Sequence, residues 1–278
     1  MPNSLRLIGI FFLGLISAKL LASELELEIE KRFTTIVIPA PGPSHFGNLL
    51  KLALDKTVPE YGAYEFQEVQ ARMTENRLRA AVKSGDIDVV WTPTTPEFEN
   101  KLLPVRISLL KDLDDYRILI IRAGEQSRFD GIQTLDDLRN MVGGMGSHWT
   151  DVEIMRANGL PLISTVDYQG LFKMLQAGRF DYFSRGVYQV QRELGWIPTQ
   201  GLVMEQRLML HYPAENYFFV NRANHALAAR IQEGLELALA DGSFDEALYS
   251  HPEHRWARAE IDNNNRHIIT LESVPDTP

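Results

Sequence analysis

The stretches LRAAVKSGDIDVVW (residues 78–91) and LFKMLQAGRFDYFSRG (residues 171–186) share one order of residue types. Each has an apolar helix face, a small residue and Gly, two variable positions, Asp, and then an apolar run. In the first, Leu78, Ala81 and Val82 recur at helical spacing; in the second, Leu171, Met174 and Leu175 do so. Gly85 and Gly178 stand where a helix end needs left-handed backbone. Asp88 and Asp181 come at the start of the next strand, where a short carboxylate can hold backbone N–H groups of the loop. A helix that stops at Gly and drops into a buried strand belongs to a strand–helix–strand unit. Two copies predict two α/β units, each an open, mostly parallel sheet covered by helices.

The flanking sequence extends both units. RFTTIVIPAP (residues 32–41) reads as a core strand stopped by prolines, and Ser44 as the cap of a helix over residues 45–56. Residues 64–70 read as a short strand and residues 106–109 as an extended segment. YRILIIR (residues 116–122) is the strongest strand signal in the chain. Residues 135–139, 151–158 and 189–194 are expected to be helical, and residues 207–212 and 216–222 extended. A long periodic helix follows over residues 226–240.

Composition narrows the function. With 45% apolar residues the chain can build a large core, and a net charge of −9 excludes an ordinary nucleic-acid binder, which needs a basic surface. The first residues run from Arg6 through the apolar segment Leu7 to Ala18 and on to Ala22, before the chain turns acidic. That is the order of a cleavable secretory signal, with cleavage expected after Ala22 or Ala18. No later run approaches the roughly 20 apolar residues a membrane-spanning helix needs, so no stable membrane insertion is expected after cleavage. There is no cysteine, which excludes disulfides, thiol catalysis and thiolate metal sites. No histidine spacing suggests zinc, and no cofactor is expected.

These pieces, in this order, resemble the two-lobed periplasmic solute-binding proteins of the amino-acid-binding type. The resemblance rests on the two stretches above together with LLPVRISLLKDLDDYRILIIR (residues 102–122), GIQTLDDLRNMVGGMGS (residues 131–147) and YFFVNRANHALAARIQEGLELALADGSFDEALY (residues 217–249). It implies two lobes joined by two hinge segments and closing on a solute. The expected organisation is a signal peptide at 1–22, a first lobe at 23–120, and a second at 121–210. The chain then returns to the first lobe at 211–255, with a loosely packed tail at 256–278. The implied location is the periplasm, and the implied state a monomer. The implied role is delivery of a small polar, possibly anionic, solute to an inner-membrane permease of the ABC type. The alternatives are signalling of occupancy to a membrane sensor, and a lyase or dehydratase on the same scaffold.

Ligands of open α/β sheets bind beyond the carboxyl ends of the strands. Those ends supply the candidate site: Trp91, Thr92 and Thr94 in the first unit, and Arg185 in the second. Ser147, His148 and Trp149 follow a Gly-rich strand, and His45 follows the first strand. Trp91 can form an aromatic wall or pack in the core, and Arg185 can hold a ligand anion or pair with an acidic side chain. Where the resemblance implies a carboxylate-clamping Arg, this chain has Glu99. Where it implies an acidic residue for the amino group, it has Arg185 and Gly186. An enzyme would need an acid or base in the cleft, and Glu97, Glu99, His148 and Asp151 are the nearby candidates. Their spacing is not specific, so no catalysis is expected.

Overall fold

The computed structural model describes residues 34–40, 44–69, 75–196 and 201–273; the expected signal segment lies outside the described residues. The first lobe begins with β1 (Thr34–Pro39), α1 (His45–Lys56), α2 (Val58–Tyr61) and β2 (Tyr64–Val69). It continues with α3 (Glu75–Ser84), β3 (Val89–Pro93), α4 (Pro96–Lys101) and β4 (Leu102–Val105). The second lobe holds β5 (Tyr116–Arg122), α5 (Gln126–Phe129), α6 (Leu135–Leu138), β6 (Gly143–Gly146), α7 (Asp151–Ala157) and β7 (Leu162–Thr165). After these come α8 (Tyr168–Gln176), β8 (Tyr182–Gly186), α9 (Val187–Trp196), β9 (Leu202–Met204) and β10 (Leu208–His211). The chain ends with β11 (Asn216–Asn221), α10 (His225–Asp241), α11 (Ser243–Tyr249), α12 (Pro252–Asp262) and β12 (His267–Thr270).

In the first lobe β1 pairs with β2 in parallel, and β11 lies antiparallel between β3 and β4. The second sheet runs β12-β10-β5-β8-β6-β7, with β9 also beside β5. The repeated sequence pattern has one structural cause. Asp88 accepts the Val37 N–H at 2.7 Å and donates its own N–H to the Val37 carbonyl at 2.8 Å. Asp181 does the same with Val142, at 2.8 and 2.7 Å. Each carboxylate thus closes a ring of hydrogen bonds that sets the register of a neighbouring strand. Gly85 and Gly178, at φ +85° and +70°, turn the chain out of the preceding helix.

Three departures from the sequence reading matter for the site. The lobe boundary expected at residue 120 falls inside β5. That strand buries Arg117 to Ile121 without interruption, as a central strand of the second sheet must. The crossing is instead a 3-10 turn at Lys111–Asp115, and the return lies between β10 and β11. The segment expected to be extended at 106–109 lies beyond its strand, which is Leu102–Val105. The described part of the tail expected to be loose, residues 256–273, is packed against the rest of the chain. Helix α12 packs against α9, α11 and the 3-10 turn, and β12 pairs in parallel with β10. Ala257, Ile269 and Leu271 are buried, and Asn158 clamps Glu272 through both its amide nitrogen (2.8 Å) and its oxygen (2.9 Å). The chain therefore passes between the lobes a third time.

Candidate functional site

Between the lobes lies a cleft of about 290 Å³. Thr92, Pro93 and Phe98 line it from the first lobe. Trp149, Thr150, Asp151, Arg185, Tyr188 and Gln189 line it from the second. Its floor is formed at the crossing by Asp114 and Arg117.

The floor is a buried polar network. Arg117 donates from Nε to Asp151 Oδ1 at 3.0 Å, and the Tyr212 hydroxyl donates to the same oxygen at 2.5 Å. The Arg117 guanidinium also pairs with the Asp114 carboxylate at 3.2 Å and lies over the Tyr212 ring at 4.9 Å. Asn216 donates its side-chain N–H to the other oxygen of Asp114. Asn216 sits on β11, Asp114 on the crossing turn and Arg117 on β5, so the network ties both lobes to the hinge. Burial pushes the Asp114 carboxyl up to about 7 against the pull of Arg117. Burial acts on Asp151 as well, but Arg117 and the Tyr212 hydroxyl outweigh it and hold Asp151 below the usual carboxylate range.

The second wall is organised around Arg185. Its Nε bonds both oxygens of Glu193, at 3.0 and 2.8 Å, and one terminal nitrogen bonds Oε1 at 2.5 Å. Tyr168 donates its hydroxyl to the same carboxylate at 2.8 Å. The guanidinium carbon lies 4.5 Å from the Trp149 ring centroid, 5.2 Å from Phe183 and 5.7 Å from Tyr168. Trp149 can fold back against β6 because Gly146 has no side chain. A Cβ there would meet the indole at 2.4 Å.

The cleft gathers Thr92, Trp149 and Arg185 from the residues expected at the site. Trp91 stands on the same face of β3 as Val89 and, half-buried, packs against the core at Phe46 and Phe218, with centroids 6.2 and 6.4 Å away. Across from Arg185 are Thr92, Pro93 and Phe98 instead. Thr94 donates its hydroxyl to Glu99 at 2.8 Å, and the Ser147 N–H continues the ladder to the Thr165 carbonyl at 3.0 Å. His148 is exposed. His45 is buried behind the cleft, bonded through Nε2 to the Leu109 carbonyl at 3.0 Å. Its ring meets those of His251 and His254 edge-on, with centroids 5.4 and 4.7 Å away. Among the described residues no group of three His, Asp or Glu side chains is arranged to hold a metal ion.

The acid–base candidates are all engaged or remote. Glu97 pairs with Lys101 and Arg79, Glu99 with Arg106, and Asp151 with Arg117. Sequence reasoning missed Asp114, Arg117, Tyr188 and Glu193. One signal for the floor was present: an Arg at the second position of the most apolar strand, three residues after an Asp, is a charge that burial obliges to have a partner.

No family model matches the chain, and no curated protein does. Solved structures match about four-fifths of the chain. The BvgS periplasmic VFT2 domain of Bordetella pertussis superposes with TM-score 0.57 at 14% identity, covering 82% of this chain and 96% of that one. The fold is that of the two-lobed periplasmic binding proteins. An ancestral arginine-binding protein bound to glutamine superposes on this two-lobed chain with TM-score 0.55 at 19% identity, over 78% of this chain and 96% of that one. A histidine kinase sensor domain with similarity to periplasmic binding proteins gives the same TM-score and identity, over 78% and 95%.

Proposed function

We propose that the chain binds a small polar solute in the interlobe cleft and passes the closed, occupied state to a partner protein outside the cytoplasm. The observation that carries this reading is the cleft itself. Both lobes contribute hydroxyl and aromatic groups to it, over a floor network that spans the hinge, so a solute touching both walls favours closure. Binding needs no chemical step, and the carboxylates near the cleft are already engaged by arginine or lysine. Solved structures on this fold serve both transport and sensing. Among them are a histidine kinase sensor domain, at TM-score 0.55, and a substrate-binding protein of an amino acid ABC transporter, at 0.52. We take a sensory or accessory role as the first reading, with delivery to a permease as the second. The test has two parts. Native mass spectrometry of gently purified protein is expected to find a retained small molecule, whose removal opens the lobes in small-angle scattering. Cross-linking of the occupied protein in its own membranes is expected to capture a sensor; capture of a permease instead assigns transport.

A further inference from the structure

Both guanidiniums that reach the cleft are already matched by carboxylates of this chain. Arg117 faces Asp114 and Asp151, and the Nε–Nη2 edge of Arg185 is taken by Glu193, which is 5% exposed. The wall and floor thus hold two arginines against three carboxylates, and protonating Asp114 brings the balance only to zero. Neither state leaves a net positive charge for an incoming anion. A carboxylate entering the cleft would shed its water without gaining a counter-charge, and it would face Asp151. Of the other lining groups, the Thr92 and Thr150 hydroxyls and the Gln189 amide can donate or accept, whereas the Asp151 carboxylate only accepts, so the charged group still offered suits a hydrogen-bond donor.

Resting on the solute-binding reading, we propose that the cleft selects donor-rich solutes carrying no carboxylate or phosphate, amines and guanidines among them, and that Glu193 sets this selectivity by occupying Arg185. This proposal departs from the expectation of a possibly anionic solute. The guanidinium looked like the anion clamp, but its partner lies two turns along α9 on the same chain.

Agmatine and arginine differ only in the α-carboxylate, which makes them a direct probe. Each is titrated calorimetrically into the wild-type protein and into Glu193→Gln, alongside putrescine and glutarate. Wild-type protein is expected to bind agmatine at least about tenfold more tightly than arginine and to ignore glutarate. In Glu193→Gln the preference narrows or inverts, and glutarate binds. The double variant Arg185→Gln with Glu193→Gln removes the unbalanced charge and is expected to ignore glutarate again; circular dichroism checks that each variant folds. Should Glu193→Gln not fold, the wild-type pair alone decides. Wild-type preference for arginine, or binding of glutarate, overturns the charge assignment and leaves solute binding standing. No probe bound by wild type but glutarate taken up by Glu193→Gln supports the assignment. No binding by either protein, with no molecule retained in native mass spectrometry, overturns both readings.

Discussion

Gly234→Ala sets two opposing effects against each other at one place in the first lobe. Gly234 lies on α10, where that helix crosses α1, and a Cβ built there would sit 2.0 Å from the Ala53 carbonyl oxygen and 2.7 Å from Ala53 Cα. In an exposed helix the change would stabilise by about 1 kcal/mol, because Ala is the better helix former. Here the obstacle is backbone on both sides, with no rotamer to swing away. The helices must separate by roughly 1 Å, and a gap of that size forfeits a large part of the dispersion contact between facing side chains. Those include Leu49, Leu50, Ile231 and Leu235, all fully buried. Overpacking of this kind costs about 3 kcal/mol at the upper end of its usual range, leaving a net loss of about 2 kcal/mol. Urea denaturation followed by far-ultraviolet circular dichroism measures it. A variant as stable as the wild type, or more so, would refute the close helix crossing.

Three further outcomes are expected. Gly146→Ala should push Trp149 off β6 and away from Arg185, changing the near-ultraviolet circular dichroism and lowering stability by about 1–3 kcal/mol; an unchanged aromatic spectrum would contradict the placement. His45, held down to about 4 by burial, has a buried Nδ1 with no partner to receive a second proton. Its folded value lies below the unfolded one, so the stability it contributes is present above about pH 6.5 and is lost as pH falls toward 4, by an amount on the order of 3 kcal/mol. Urea titrations at a series of pH values should show this slope, and His45→Phe should flatten it. Asn158→Ala strands the Glu272 backbone groups and should cost about 1–2 kcal/mol. Hydrogen exchange should then quicken at the β12 amides, and unchanged protection there would show that Asn158 does not anchor the strand.

Much of the scaffold was legible because its signals are local. Ser44 caps α1 by accepting the Gly47 N–H, and the helix runs over the expected residues 45–56. The paired Asp residues announced themselves by following Gly at the same offset. What escaped the sequence depends on partners far along the chain. HIIT at residues 267–270 is too short to read as a strand until β10 is beside it. Trp91 and Thr92 are neighbours in sequence, yet the alternation of a strand sends one against the core and the other into the cleft. The carboxylate that fills Arg185 lies on the next helix, at a position whose sequence gives no hint of burial.

The late docking of β12 has a consequence for how the chain comes to be folded. Synthesis proceeds from the N-terminal end, so residues 116–211, which hold most of the second sheet, are complete before residues 267–270 emerge. Until they arrive, β10 is an open margin with unpaired N–H and C=O groups, a template for any other strand. A pause in that interval would favour exchange of the C-terminal strand between neighbouring copies, so the yield of chains paired with their own β12 should depend on chain concentration during refolding.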